Sequence, residues 1–320
     1  MTGPVYAYGA FGVRVLCNRR LPALAPVSAD ASRTVHIEIA EECVIELRAP
    51  TSRPALATGY ESLWRMRDGG WVLRYGAVES AQAWMMRLEN GGGRIEVSWT
   101  RSVPMDDLLQ IVQTIGLASA LQLAGGVVLH GCVIELGGQA IIVLGPSGAG
   151  KSTTSAAFVV AGHALLSDDI AAIEVVDEEP IVHPGLTQLR VTPTTAHALG
   201  WDPQRLPLVF GSEMLGDKRR VQLSQATGSF CAQARRIAGI YVLHARDSIE
   251  PGAPPEVAAL KPRDAVPVLL ANCYRISVLD HVQRGQLLGS LARVAQDVPV
   301  WRVRAADDLA ALPLLLKALT

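Results

Sequence analysis

Residues 145–152 read Gly145-Pro146-Ser147-Gly148-Ala149-Gly150-Lys151-Ser152. They satisfy G-x-x-x-x-G-K-[ST] at every fixed position, which is the spacing of a phosphate-cradling loop. Each residue type has a task there. The glycines let successive backbone N–H groups turn inward toward an anion with no Cβ in the way. A helix that opens at Lys151 aims its positive dipole end at the same anion. Lys151 adds a point charge for the outer phosphates, and Ser152 offers Mg²⁺ a hydroxyl ligand. Residues 145–153 are therefore the expected nucleotide-binding stretch. Thr153 closes it as a helix residue, and Thr154 and Ser155 follow as ordinary helix positions.

A pair of carboxylates, Asp168-Asp169, comes 17 positions after Lys151 at the end of the short apolar run Ala164-Leu165-Leu166. That puts acid at the carboxyl edge of a strand beside the loop, where open α/β sheets bind ligands. One carboxylate can hold Mg²⁺ while the other accepts a proton from an incoming hydroxyl. Neighbours on a strand point to opposite faces, which would split these roles. His130 closes the earlier strand 127–130, and on its own it reads more often as a structural than as a functional histidine. Gly216-Asp217-Lys218-Arg219-Arg220 is a compact basic cluster. A phosphoryl group in transfer spreads negative charge that a positioned cation can stabilise, so Lys218 and Arg219 are candidates, with Arg190 behind them. The remaining histidines have no metal-ligand spacing. Asp177-Glu178-Glu179 before Pro180 reads as a hairpin turn, and Arg235-Arg236 as surface.

The elements that position these residues divide the chain near residue 104. Residues 1–104 carry strand runs at 12–16, 34–39, 71–75 and 94–99, separated by Asp68-Gly69-Gly70 and Asn90-Gly91-Gly92-Gly93, the pattern of a mostly antiparallel β-domain. The period then changes. Leu108, Leu109, Val112, Ile115, Leu117 and Leu121 fall at helical spacing over 105–125, with Asp106 or Asp107 as cap. A strand at 127–130 follows, then a Gly137-Gly138 turn, a strand at 140–144, the loop, and a helix from 151 to 161 ended by Gly162. Strands are expected at 164–166, 170–176, 181–192, 238–244 and 274–279. Residues 193–225 read as irregular. The five prolines of 251–267 read as a surface loop, and helices are expected at 263–272, 281–296 and 306–319.

Apolar residues make up 49% of the 320 and charged residues 18%, enough for a large core in two domains. Lys plus Arg is 29 against 30 for Asp plus Glu. A balance of −1 gives no general attraction to nucleic acid or anionic membrane, so anion binding has to be local. Five scattered cysteines without a C-x-x-C pair argue for reduced thiols, and neither a signal peptide nor a membrane span is visible. The expectation is a cytoplasmic protein.

The run VLHGCVIELGGQAIIVLGPSGAGKSTTSAAFVVAGHALLSDDIAAIE (128–174) resembles the catalytic core of bacterial HPr kinase/phosphorylase. It resembles more closely the HPr-kinase-related proteins of ribosomal-peptide gene clusters, including lasso peptide kinases. The resemblance spans roughly 105–315, and YGAFGVRVLCNRRLPAL resembles the N-terminal β-domain of that second group. It implies an α/β fold: a P-loop kinase core of the HPr kinase and phosphoenolpyruvate carboxykinase type, residues 105–320, behind the β-domain. It implies ATP and Mg²⁺ as cofactors. It implies His130 in the active site, Asp168 as base, and Asp169 as metal ligand with Ser152. It also implies a serine on a peptide or small protein as acceptor, and a homo-oligomer. HPr kinases carry an E-x-R-G-x-G motif after the aspartate pair. The comparable HPGLTQLRVTP (183–193) has Arg190 and no such glutamate, which argues against reverse phosphorolysis and against HPr as acceptor.

Overall fold

Alternation of apolar and polar residues builds the N-terminal sheet. In Arg94–Trp99 the side chains of Ile95, Val97 and Trp99 are buried while Arg94 and Glu96 face water, the pattern of a strand with one covered face. The computed structural model describes residues 4–26, 31, 33–44, 48–58, 60–76, 83–211, 216–244, 249–250 and 252–320. The chain forms two compact units. The first comprises Met1–Gly126, Phe210–Gly216 and Arg275–Arg284; the second comprises Val127–Val209, Asp217–Tyr274 and Gly285–Thr320.

The first unit holds β1 (Tyr6–Ala10), β2 (Val13–Cys17), β3 (Thr34–Ile39), β4 (Leu56–Ala57), β5 (Glu61–Arg65), β6 (Trp71–Tyr75), β7 (Trp84–Leu88) and β8 (Arg94–Trp99). They make one sheet in the order β1-β2-β3-β8-β7-β6-β5-β4. β3 pairs in parallel with β2 and β8, and the other neighbours are antiparallel. Helix α1 (Met105–Ile111) continues through a π-turn (Val112–Gly116) into α2 (Leu117–Leu123). The cap of α1 is Pro104, not Asp106 or Asp107. Asp107 is instead buried and accepts the Gly211 N–H at 2.6 Å, a contact no local pattern announces.

The second unit is built on β9 (Val127–Leu136), β10 (Gln139–Leu144), α3 (Lys151–Val160), β11 (Leu165–Ser167), β12 (Ile170–Val176), β13 (Glu179–Val182), β14 (Gln188–Val191), α4 (Pro193–Ala198) and β15 (Arg219–Gln222). It continues with β16 (Arg235–Leu243), β17 (Glu256–Leu260), α5 (Pro262–Ala271), α6 (His281–Asp297, of which the residues to Arg284 belong to the first unit), β18 (Val300–Arg304) and α7 (Leu312–Leu319). The main sheet runs β10-β9-β12-β13-β16-β18-β17, and β10 also pairs with β16. Five strands thus form a closed circuit of neighbours. β10, β16 and β18 are mutually parallel along β16, so their carboxyl ends share one edge.

Several boundaries differ from the sequence expectation. The expected strand 181–192 is two strands, β13 and β14, with His183-Pro184-Gly185 between them. Within 193–225, taken as irregular, lie α4 and β15. The proline-rich 251–267 contains β17 and the start of α5. Pro262 sits at the first turn of that helix, where a missing N–H does no harm. The strand expected at 274–279 is a 3-10 turn, Ile276–Val278, entered through Arg275 in the left-handed region at φ 53°. β18 was not anticipated, and the last helix begins at Leu312 rather than 306. Among the described residues no helix is long and apolar enough to cross a membrane.

Candidate active site

The glycine loop leaves β10 and enters α3, as its spacing predicts. Gly145, Gly148 and Gly150 all have positive φ, at 146°, 83° and 98°, backbone that an L side chain rarely adopts. At Gly145 a Cβ would lie 2.7 Å from the Leu243 carbonyl oxygen. The α3 cap, Gly150, brings no side chain to the first N–H groups of the ten-residue helix, which leaves them available to an anion. Pro146, Ser147 and Gly148 are exposed; Ala149 and Lys151 are buried and Ser152 is half-buried. The Lys151 ammonium folds over the loop and donates to the carbonyls of Gly145 at 2.7 Å and Pro146 at 3.2 Å. Burial lowers its pKa from the ordinary lysine value, and Asp169 opposes that shift. Thr153 is buried, with its hydroxyl 3.1 Å from that of Thr195.

The two carboxylates do not divide between strand faces. They occupy the bend between β11 and β12, and Asp169 is left-handed at φ 72°. The expected alternation fails for that reason, and both acids turn to Arg190. Asp168 is 1% exposed. Its Oδ1 accepts from the Cys132 thiol at 3.0 Å, and its Oδ2 accepts the Arg190 backbone N–H at 2.9 Å. Arg190 Nε stands 3.7 Å from Asp168 Oδ2, an ion pair too long for a hydrogen bond, while Arg190 Nη2 closes on Asp169 Oδ1. Burial alone would raise the Asp169 pKa. The Arg190 guanidinium and then His130 outweigh it and hold the carboxyl below its ordinary value. Burial likewise works against the Arg190 charge, and Asp169 and Asp168 overcome it.

His130 reaches the same cluster. Its Nε2 lies 3.4 Å from Asp169 Oδ1, and its ring stacks on Tyr274 at 5.4 Å between centroids. Burial lowers its pKa and the Asp169 carboxylate opposes the change. The ring keeps 44% exposure, so water still screens it. Asn272 ties the pieces together. Its side-chain Oδ1 accepts from Gly145 N–H at 3.2 Å, and its backbone carbonyl accepts from His130 N–H at 2.8 Å. Cys132, Asn272 and Tyr274 were missed by sequence reasoning. Each acts through a tertiary contact, and only the adjacency of Cys132 to His130-Gly131 hints at it.

The basic cluster is partly brought in. Arg190 pairs with Arg220 and Val191 with Arg219 across β14 and β15. Residues directly opposite share a face, so Arg220 lies on the face of Arg190, and the pleat turns Arg219 to the other. Lys218, exposed just before β15, is close enough for its charge to act on Lys151 and Asp169. Among the described residues no group of three or more His, Cys, Asp or Glu side chains is placed to hold a metal.

Residues 121–189 match the HPr Serine kinase C-terminal domain, a span that holds His130, the loop and both aspartates. The HPr kinase/phosphorylase of Geobacillus kaustophilus (strain HTA426) is 34% identical over 94 residues, 28% of this chain and 30% of that protein. The HPr kinase/phosphorylase of Caldicellulosiruptor bescii is 38% identical over 61 residues, 19% of this chain and 20% of that one. The chain thus spans only about 20–30% of the length of these curated relatives. A solved structure of the Hpr(Ser) kinase/phosphatase from Coxiella burnetii aligns with 60% of this chain and 93% of its own, at 11% identity and TM-score 0.33. Residues 121–189 are thus HPr kinase-like, and the fold of the chain is mixed α/β.

Proposed function

We propose that this protein is an ATP-dependent kinase that phosphorylates a serine hydroxyl on a peptide, with a lasso precursor peptide as the acceptor class. The observation that carries the reading is the convergence of Lys151, His130, Arg190 and both aspartates at one end of a glycine loop that a Cβ would block. The residues suit the cofactors. A cradle of positive-φ glycines at a helix N-terminus is made for phosphate. Mg²⁺ takes one or two carboxylates plus phosphate oxygens and water rather than an all-protein cage, which agrees with one partly accessible acid, Asp169 at 12% exposure.

Bound MgATP supplies the transferable phosphoryl group and the divalent charge. Backbone N–H groups of 145–150 and the start of α3 hold the phosphates. Lys151 gives the outer phosphates a counter-charge. Asp169 and Ser152 hold the metal. Asp168 accepts the proton of the attacking serine hydroxyl. His130 and Lys218 offset developing charge, with Arg190 as a substrate or phosphate contact that also fixes the two acids; Arg219, turned to the other face of β15, takes no part in this arrangement. The P-loop kinase core of the phosphoenolpyruvate carboxykinase type, a cytoplasmic setting and a homo-oligomeric state belong to the same proposal, whereas in place of a division into 1–104 and 105–320 the first compact unit runs to Gly126 and takes in α1 and α2.

The near-complete burial of Asp168, 1% exposed, favours a second reading: a nucleotide-binding regulator that transfers nothing. One experiment separates them. The protein is incubated with γ-labelled ATP, Mg²⁺ and a precursor peptide bearing a serine near its C-terminus. The kinase reading expects label on that serine, lost in Asp168→Asn. Label on HPr or on a small-molecule hydroxyl instead would change the acceptor. Nucleotide binding with no acceptor labelled would favour the regulator.

A further inference from the structure

Strand β9 addresses both acids from one face. His130 and Cys132 lie two residues apart on it, so their side chains point the same way. His130 Nε2 stands 3.4 Å from Asp169 Oδ1, and the Cys132 thiol donates to Asp168 Oδ1 at 3.0 Å. The register behind this leaves little slack. β11 pairs with β9 as far as Ser167 opposite Val133, and β12 resumes at Ile170 opposite His130. The two acids occupy the gap between these pairings. Gly131 N–H donates to the Asp169 carbonyl at 3.2 Å, which lays the bend over the strand. A Cβ at Gly131 would lie 2.7 Å from the Val143 carbonyl oxygen on β10.

Asp168 is thus held from two sides. Cys132 of β9 donates to Oδ1, and the backbone N–H of Arg190 on β14 donates to Oδ2 at 2.9 Å. One donor on each oxygen fixes the rotation of the carboxylate. Each oxygen keeps a second lone pair for an incoming hydroxyl. A buried cysteine is ordinarily a small hydrophobe, but this sulfur lies against a charge. A thiol is a weak donor, so it directs the carboxylate and takes less of its basicity than a hydroxyl would. Cys132 is 1% exposed. Burial, and then the Asp168 charge, push its pKa well above the ordinary thiol value. It therefore keeps its proton and is closed to solvent, which removes it as a nucleophile.

We infer that Cys132 is a positioning residue for the proton transfer, its thiol holding Asp168 in the orientation that accepts the serine proton. The inference rests on the kinase reading of the site and adds to it a residue outside the glycine loop and the acid pair. The effect of Cys132 passes through Asp168. Loss of the thiol lowers the rate of transfer and leaves ATP binding, which the loop supplies, in place.

Two variants of nearly equal size separate positioning from packing. Cys132→Ala and Cys132→Ser both remove the sulfur, and only serine keeps a donor. Each is assayed with γ-labelled ATP, Mg²⁺ and the serine-bearing precursor peptide, with thermal melts to confirm folding. Cys132→Ala is expected to lower kcat at least about tenfold, the scale of a misdirected base, with the KM for ATP changed less than about twofold, and Cys132→Ser to recover most of that loss. Packing alone gives another ranking, because a buried hydroxyl fills the site no better than a methyl and has to be hydrogen-bonded. Serine at or below alanine, or an unchanged kcat in Cys132→Ala, would overturn the inference and leave the kinase reading standing. Infrared spectroscopy reads the bond itself without an acceptor. The S–H stretching band that is lost in Cys132→Ala is expected at lower frequency in the wild type than in Asp168→Asn. A band at one frequency in both would overturn the inference. A wild type that leaves the peptide unlabelled would bring down the kinase reading and this inference with it.

Discussion

Arg190 stands between two carboxylates at 14% exposure, against 1% for Asp168 and 12% for Asp169. Removing one partner of so buried a cluster leaves uncompensated charge. Arg190→Ala is expected to destabilise the fold by about 3–5 kcal/mol in urea titration. Arg190→Lys should recover only part, because an ammonium lacks the fork that reaches both acids. Lys151→Ala is expected to weaken ATP binding while the circular dichroism spectrum stays native, since its bonds go to loop carbonyls and not to the core. The thiols offer a pH test. Burial raises Cys17 from 9.0 to about 11 and Cys273 to about 12. Each therefore stays protonated in the folded state at a pH where the unfolded chain has lost the proton. This stability is fully present below about pH 9 and is lost as pH rises through about 11 for Cys17 and about 12 for Cys273. The melting temperature should fall over that window, and at pH 8 a disulfide reagent should modify Cys17 and Cys273 slowly. Residue roles were legible where spacing carries chemistry, as in 145–152. They were hidden where a contact spans the fold, as with Cys132 on Asp168, which lie 36 positions apart.

Elements were legible where one face is buried and the other wet. β8 could be read from alternation alone. β17 and β18 could not: prolines before β17 masked it, and the long register of β18 against β16 and β17 is set by partners. The Asp168-Asp169 bend was misread because strand alternation was extended two residues too far. Loop geometry gives two further tests. Gly145→Ala would press a Cβ against the Leu243 carbonyl at 2.7 Å and should abolish ATP binding through displacement of the loop, measured by calorimetry. Gly92→Ala would bring a Cβ within 1.9 Å of the Ala120 carbonyl oxygen at φ 70°. It should lower stability by at least about 1–3 kcal/mol, with the unfolding midpoint as the readout.

The whole molecule divides into two compact units whose chain segments interleave. Phe210–Gly216 and Arg275–Arg284 return to the N-terminal unit, where Arg275 pairs with Glu61 and Asp280 with Arg65. Sequence order cannot show such returns, because the segments carry no signal of their own. Residues 1–104 expressed alone should lack a cooperative melt, since the helical segment 105–123 and both returning segments are missing. Phosphoryl transfer at this site requires the glycine loop to face the aspartate bend, so that a metal on the nucleotide is held by both. Electron paramagnetic resonance of Mn²⁺, standing in for Mg²⁺, reports that directly when ATP is titrated into wild type and Asp169→Asn. The account expects a nucleotide-dependent bound-Mn²⁺ signal in the wild type, lost in Asp169→Asn while metal-free ATP binding persists. Identical Mn²⁺ signals in the two proteins would contradict it.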